Sequence, residues 1–178
     1  MTTKHFQLTE IAVTAPDTLL LTFADGQQFT VALDEIIEKH ATLGPLADPK
    51  VFATAAIGEW QDTVIWANDD SLELAADNLR ARAVEQAGGR SHELIWNWMA
   101  KHELTLDRAA RELGLSRRML AYYRSGEKPV PRTVALAMRG WEALRMADVE
   151  VKAYPVAYLA SMKMGVDAGH APKKERNS

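Results

Sequence analysis

Residues Thr105 to Arg132 read TLDRAARELGLSRRMLAYYRSGEKPVPR, the most informative run in the chain. Its apolar residues Leu106, Ala109, Ala110, Leu113, Leu115, Leu120 and Tyr123 recur at the spacing that two short crossed helices bury. Thr105 suits the N-cap of a helix running to about Leu113. Alanine at Ala109 and Ala110 lets a second helix cross closely. Gly114 falls at the corner, where a left-handed backbone costs glycine little. Ser116 caps the second helix. Leu120 and Tyr123 face inward, which leaves Arg117, Arg118, Ala121, Tyr122 and Arg124 outside.

Ser91 or His92 starts the preceding helix, with Leu94, Ile95, Trp98, Met99 and His102 along one face. Pro131 suits a first turn, and Val134 to Met146 continues as a helix weakened at Gly140. Beyond Pro155 the pattern fades into a polar basic tail. Upstream, Gly88-Gly89 ends a helical run from Ala75 to Ala87 and marks the best boundary in the chain. The expected organisation is therefore 1–87, 91–155 and a partly mobile tail, 156–178.

The first seventy-five or so residues read as mixed α and β. Leu8 to Thr14 alternates weakly. Thr18 to Phe23 and Gln28 to Val31 are β-prone runs joined by Ala24-Asp25-Gly26-Gln27, a hairpin signal because the turn needs positive φ. Asp34 reads as an N-cap before a short helix. Val51 to Ile57 and Thr63 to Trp66 are further strand candidates, the latter bounded by Asn68-Asp69-Asp70. The fold class is α+β: a small N-terminal part with an antiparallel hairpin, then an all-α part of four to five helices.

The net charge of −3 conceals an asymmetry. Residues 1–80 carry four Lys/Arg against thirteen Asp/Glu, whereas residues 81–178 carry seventeen against eleven. Between 104 and 145 there are nine basic and four acidic side chains. A basic module inside an acidic protein points to a polyanion partner. There is no cysteine, so thiolate metal sites and disulfides are excluded. No apolar run reaches the roughly 20 residues that span a bilayer, and Met1 to Thr9 lacks an export pattern. A cytoplasmic location and no membrane partner are expected.

A protruding short helix with a cationic rim fits the major groove of double-stranded DNA, where arginine pairs with guanine. The stretch resembles the helix-turn-helix of the phage-repressor superfamily, the xenobiotic-response-element type. The likeness rests on Ala110, Gly114, Leu115, Ser116, Leu120 and Tyr123, then Ser125-Gly126 and Pro131-Arg132. It implies that Arg117, Arg118 and Tyr122 read bases, and that Ser116, Lys128 and Arg132 lie near the sugar–phosphate backbone. Leu106 departs from the pattern, because many members place a phosphate-gripping glutamine there. Backbone binding then depends more on Thr105 and on basic side chains, Arg124 among them. A single such module buries little surface, so a homodimer is expected.

The front part resembles domain of unknown function 2442. The matching residues are Leu21-Thr22-Phe23-Ala24-Asp25-Gly26, Leu33-Asp34, Pro45-Leu46-Ala47-Asp48-Pro49, Phe52, Val64-Ile65-Trp66 and Asn68-Asp69-Asp70 before Leu72. The whole chain resembles the subset in which this domain precedes a helix-turn-helix, described as DNA-binding proteins. Some members are encoded beside toxin-like proteins. The family brings no catalytic residues.

Asp25, Asp34, Asp48, Asp62, Asp69 and Asp70 could suggest a cation site, but turns and caps account for most of them. His5, His40, His92, His102 and His170 include no close ligand pair. No phosphate cradle or nucleophile elbow is present, so neither an enzyme nor a cofactor is expected. Trp96 and Trp98 cannot share a helix face, so one of them should meet another domain or subunit. The leading expectation is a sequence-specific, repressor-like transcription regulator. The alternative is an antitoxin-like interaction module with a protein partner on its acidic front, a class that also binds its own operator.

Overall fold

The computed structural model describes residues 4–151. The tail from 156 onward lies outside the described residues. The chain falls into two units, 1–135 and 136–178.

The first unit opens with a 3-10 turn, Lys4–Phe6, followed by a three-stranded antiparallel meander: β1 (Leu8–Ala15), β2 (Thr18–Phe23) and β3 (Gln28–Ala32). Strand β2 buries every second residue, Leu19, Leu21 and Phe23, as one face of a sheet covering a core requires. The β2–β3 turn is the expected hairpin. Gly26 sits at φ 81°, Phe23 N–H reaches Gln27 O at 2.9 Å, and Asp25 Oδ1 accepts from Gln27 N–H at 3.0 Å. This is a three-residue loop closed by a left-handed glycine.

Helix α1 (Asp34–Lys39) follows, capped by Leu33 with no side-chain bond. Asp34 is thus the first helical residue and not the cap; its charge favours the helix start without bonding it. A 3-10 segment, Ala41–Ala47, leads to α2 (Pro49–Phe52), where Asp48 Oδ1 does cap, accepting from Lys50 N–H at 2.9 Å. Most of the strand expected over Val51 to Ile57 is therefore this helix and its exit. Only Ala56–Ile57 is extended, as β4. Proline at the first helical position outweighs the β-prone valine and phenylalanine.

The second sheet orders β4, β5 (Thr63–Trp66) and β6 (Asp69–Ala75), again antiparallel. Strand β6 falls where the sequence signalled only a boundary. Ala67 and Asn68 both take positive φ, 53° and 55°, and turn the chain between paired Trp66 and Asp69. Thr54 Oγ1 holds that turn by accepting from Ala67 N–H at 2.7 Å.

Helix α3 (Ala76–Gln86) brings Ala76, Leu79 and Ala83 into one core with Leu8, Leu19, Phe23, Phe52 and Trp66. At its end the Gln86 amide meets the outer strand β3. Its Oε1 accepts from Ala32 N–H and its Nε2 donates to Ala32 O, both at 2.9 Å.

Arg80 is the main buried cation of α3. Its guanidinium donates to His5 O, to Asp25 Oδ2 at 2.7 Å and to Gln27 Oε1 at 3.1 Å. It also lies 4.9 Å from the ring centroids of both Phe23 and Phe29. Both terminal nitrogens of this buried cation thus have partners, the condition under which burying it is tolerable.

Helices α4 (Glu93–Lys101), α5 (Leu106–Glu112) and α6 (Arg117–Arg124) complete the first unit. Ile95, Trp98 and Met99 are the buried stripe of α4, while Trp96 is 49% exposed. Helix α7 (Arg132–Val151) runs into the second unit, in which Met138 and Trp141 are buried. Gly140 does not interrupt it. Among the described residues no helix is long and apolar enough to cross a membrane.

Candidate functional site

The site is built on α5, α6 and the turn between them. Thr105 Oγ1 accepts from Arg108 N–H at 3.3 Å and starts α5; Ser116 Oγ accepts from Met119 N–H at 3.2 Å and starts α6. Each hydroxyl satisfies one of the amides that a helix start leaves open. Gly114, at φ 66°, turns the chain between them, and Leu115 N–H returns to Ala110 O at 2.8 Å. Ala109, Ala110 and Leu120 are fully or almost fully buried where α5 and α6 meet.

The outer face of α6 is cationic and already organised. Arg117 is exposed, and its Nε lies 2.9 Å from Asp107 Oδ1 on α5. Both side chains are two-thirds exposed, so this pair is weak and readily exchanged for another anion. One residue on, Arg118 Nε donates to Tyr122 Oη at 2.6 Å, with its guanidinium 5.3 Å from the same ring. The Lys128 ammonium stands 5.4 Å from that ring as well. Tyr122 therefore gathers two of the expected contact residues around one half-buried ring.

Arg124, the last residue of α6, lies with its guanidinium 4.5 Å from the Trp96 ring on α4. The exposed tryptophan thus supports an arginine within the same unit. Arg132 is exposed at the start of α7. The structure brings Arg118, Tyr122 and Lys128 into contact with one another. It leaves Thr105, Ser116, Arg117, Arg124 and Arg132 on other partners or in solvent. The sequence reading passed over Asp107 as the partner of Arg117 and Trp96 as the platform of Arg124. The i,i+4 spacing of Arg118 and Tyr122 was the legible signal for their pairing.

Helix α6 is tied to the front of the chain at its C-terminal end. His5 Nε2 lies 2.8 Å from Ser125 O, and the Phe6 ring packs, tilted, with its centroid 5.0 Å from that of His92, just before α4. A Cβ on Gly126 would come 2.7 Å from Phe6 Cζ, and the residue is at φ 74°. Only glycine meets both conditions without a shift. Burial holds the His92 imidazole below its ordinary value, more than nearby Asp77 and Glu85 raise it.

Residues 9–85 match the family model described as a protein of unknown function, DUF2442. A solved structure, that of "Putative DNA Binding Protein NE0471" from Nitrosomonas europaea, is 40% identical, with a TM-score of 0.73 over 81% of this chain and 92% of that one. The chain belongs to the family of that protein. Coverage of that extent reaches well beyond residue 85, so the family likeness takes in helices that follow the matched domain. No curated protein matches the chain. Among the described residues no group of three His, Asp or Glu side chains is placed to hold a metal ion.

Proposed function

We propose that this chain is a sequence-specific DNA-binding transcriptional regulator, a repressor in action, whose α5, Gly114 turn and α6 form a helix-turn-helix. The observation that carries this reading is α6 itself. It is an eight-residue helix capped by Ser116, with one apolar face on α5 and with Arg117, Arg118 and Tyr122 on the other. A helix of that size enters the major groove, and either arginine can pair with guanine through two hydrogen bonds. The name borne by the Nitrosomonas relative supports the same reading.

In this account Arg117 leaves Asp107 for a base edge. Arg118 arrives pre-positioned on Tyr122, so less side-chain entropy is lost on binding. Thr105, Ser116, Arg124, Lys128 and Arg132 face the phosphates. Two copies on half-sites one helical turn apart supply the affinity that one small module lacks. The chain works as a binding protein of the cytoplasm and not as an enzyme.

Selection of bound sequences from a random duplex pool tests the proposal and should return a two-fold related site. Three phosphate-facing cations per chain, doubled, give a slope of log affinity against log salt of about −5. A pool that returns no preferred sequence, or an affinity indifferent to salt, rejects the reading.

The surplus of nine negative charges over residues 1–80 favours a second reading, the antitoxin type, in which a basic protein docks on the front part. Tight one-to-one co-purification of such a partner, lost in about 0.5 M salt, would support it.

A further inference from the structure

A cavity of about 140 Å³ opens where the β2–β3 turn, α3, the residues before α4 and the segment after α6 come together. Phe6, Phe29, Val84 and Pro129 form its apolar lining. Its polar lining divides into groups already satisfied and groups that are not. Asp25 and Gln27 are bound to Arg80, and Ser91 donates to Glu85. That leaves Arg90, with the exposed Lys128 ammonium beside the Tyr122 ring, facing a single exposed carboxylate, Glu127. Arg90 is half-buried, and neither it nor Lys128 has a carboxylate partner among the described residues.

A guanidinium drawn partly out of water with no ion-pair partner is an unfavourable arrangement that an arriving anion would relieve. The volume sets the size of that anion, since an apolar cavity of about 150 Å³ takes one benzene ring. We propose that this cavity binds a small aromatic carboxylate, its ring against Phe6 and Phe29 and its carboxylate on Arg90. The Arg90 fork matches a carboxylate through two parallel hydrogen bonds, and Lys128 adds charge at the same wall. His92, half-buried beside Phe6, supplies one more polar contact. The site is separate from the outer face of α6 apart from Lys128, and the proposal stands whatever α6 binds.

The test is calorimetric titration of the full chain with benzoate, its neutral counterpart benzamide, and acetate. Benzoate should saturate at one per chain, with a dissociation constant on the order of 1–10 mM. Benzamide and acetate should each bind at least about tenfold more weakly, the first lacking charge and the second lacking a ring. Arg90→Gln should weaken benzoate by about tenfold and leave benzamide unchanged. Val84→Phe, which fills the apolar end, should abolish binding of both aromatic probes. Should Val84→Phe not fold, Arg90→Gln and the three probes still decide the matter. Absence of saturation with benzoate overturns the proposal. So does benzamide or acetate binding as tightly as benzoate, or an unchanged benzoate affinity in Arg90→Gln.

Discussion

Arg80 Nη2 and Asp25 Oδ2 meet at 2.7 Å, joining the middle of α3 to the tip of the β2–β3 turn. Only about a tenth of the arginine side chain and a quarter of the aspartate are exposed. Because the same guanidinium also holds His5 O, and His5 in turn meets Ser125 O, this pair begins a path from the first sheet to the end of α6.

Arg80→Met should cost about 3 kcal/mol of unfolding free energy in urea, because it strands a partly buried carboxylate and frees the hairpin tip. Burial pushes the Asp25 carboxyl up, but the Arg80 and Gln27 hydrogen bonds and the charge of Arg80 outweigh it and hold the group below its ordinary value. A depressed carboxylate contributes stability above its unfolded value and loses it as pH falls through the folded one. Wild-type stability should therefore decline on acidification through the carboxylate range. Asp25→Asn should decline less steeply over that range.

His92 gives a second, separate acid-sensitive term. Burial lowers its folded value, helped by His5 and Arg80 and opposed by Asp77 and Glu85. The folded state then binds fewer protons than the unfolded one, and stability falls as pH drops from about 7 through the histidine range. His92→Gln, measured by urea unfolding at pH 7.5 and about pH 5.5, should flatten that fall. An unchanged pH slope would remove His92 from the account.

Gly114 and Gly126 share a left-handed backbone but not their surroundings. A Cβ on Gly114 would meet nothing within 4 Å, whereas one on Gly126 would press into Phe6. Gly114→Ala should cost about 1 kcal/mol, from the backbone alone. Gly126→Ala should cost about 2 kcal/mol or more, since the Phe6 contact must also shift. Equal costs in thermal unfolding would mean that Phe6 yields freely.

Arg117→Ala with Arg118→Ala should leave stability within about 1 kcal/mol of wild type, because the Asp107 pair is exposed. On the proposed reading the same double variant loses its preference for a selected site, while salt-dependent binding to random duplex persists. Loss of the fold in circular dichroism would assign the two arginines to structure instead.

The α5–α6 pair was legible because each of its devices is local. Thr105, Ser116 and Gly114 act on their own backbone, and alanine or leucine at the buried positions has no strong competing preference. The β2–β3 hairpin was legible for the same reason, through Gly26. Strand β6 was not, because its turn places Ala67 and Asn68 in a conformation that the sequence marks by glycine far more often. What holds that turn is Thr54, 13 residues earlier and outside the strand pair it joins. The short helix over Pro49–Phe52 was hidden by β-prone side chains that a capping Asp48 and a first-turn proline overrode.

Within the site, residue types were readable and pairings mostly were not. Arg124 on Trp96 and Arg117 on Asp107 depend on how α4, α5 and α6 are disposed in space. No spacing along the chain reports that. The His5 contact with Ser125 joins residues 120 apart and has no local signature at all.

The amide of Gln86 occupies both hydrogen-bonding groups of Ala32 as a peptide unit of an adjoining strand would. Strand β3 therefore ends in a side chain that imitates the next strand and then stops, denying a neighbouring molecule a foothold at that last residue. Exchanging that glutamine for leucine would leave the rim open, and concentrated solutions would be expected to thicken into strand-linked chains of copies.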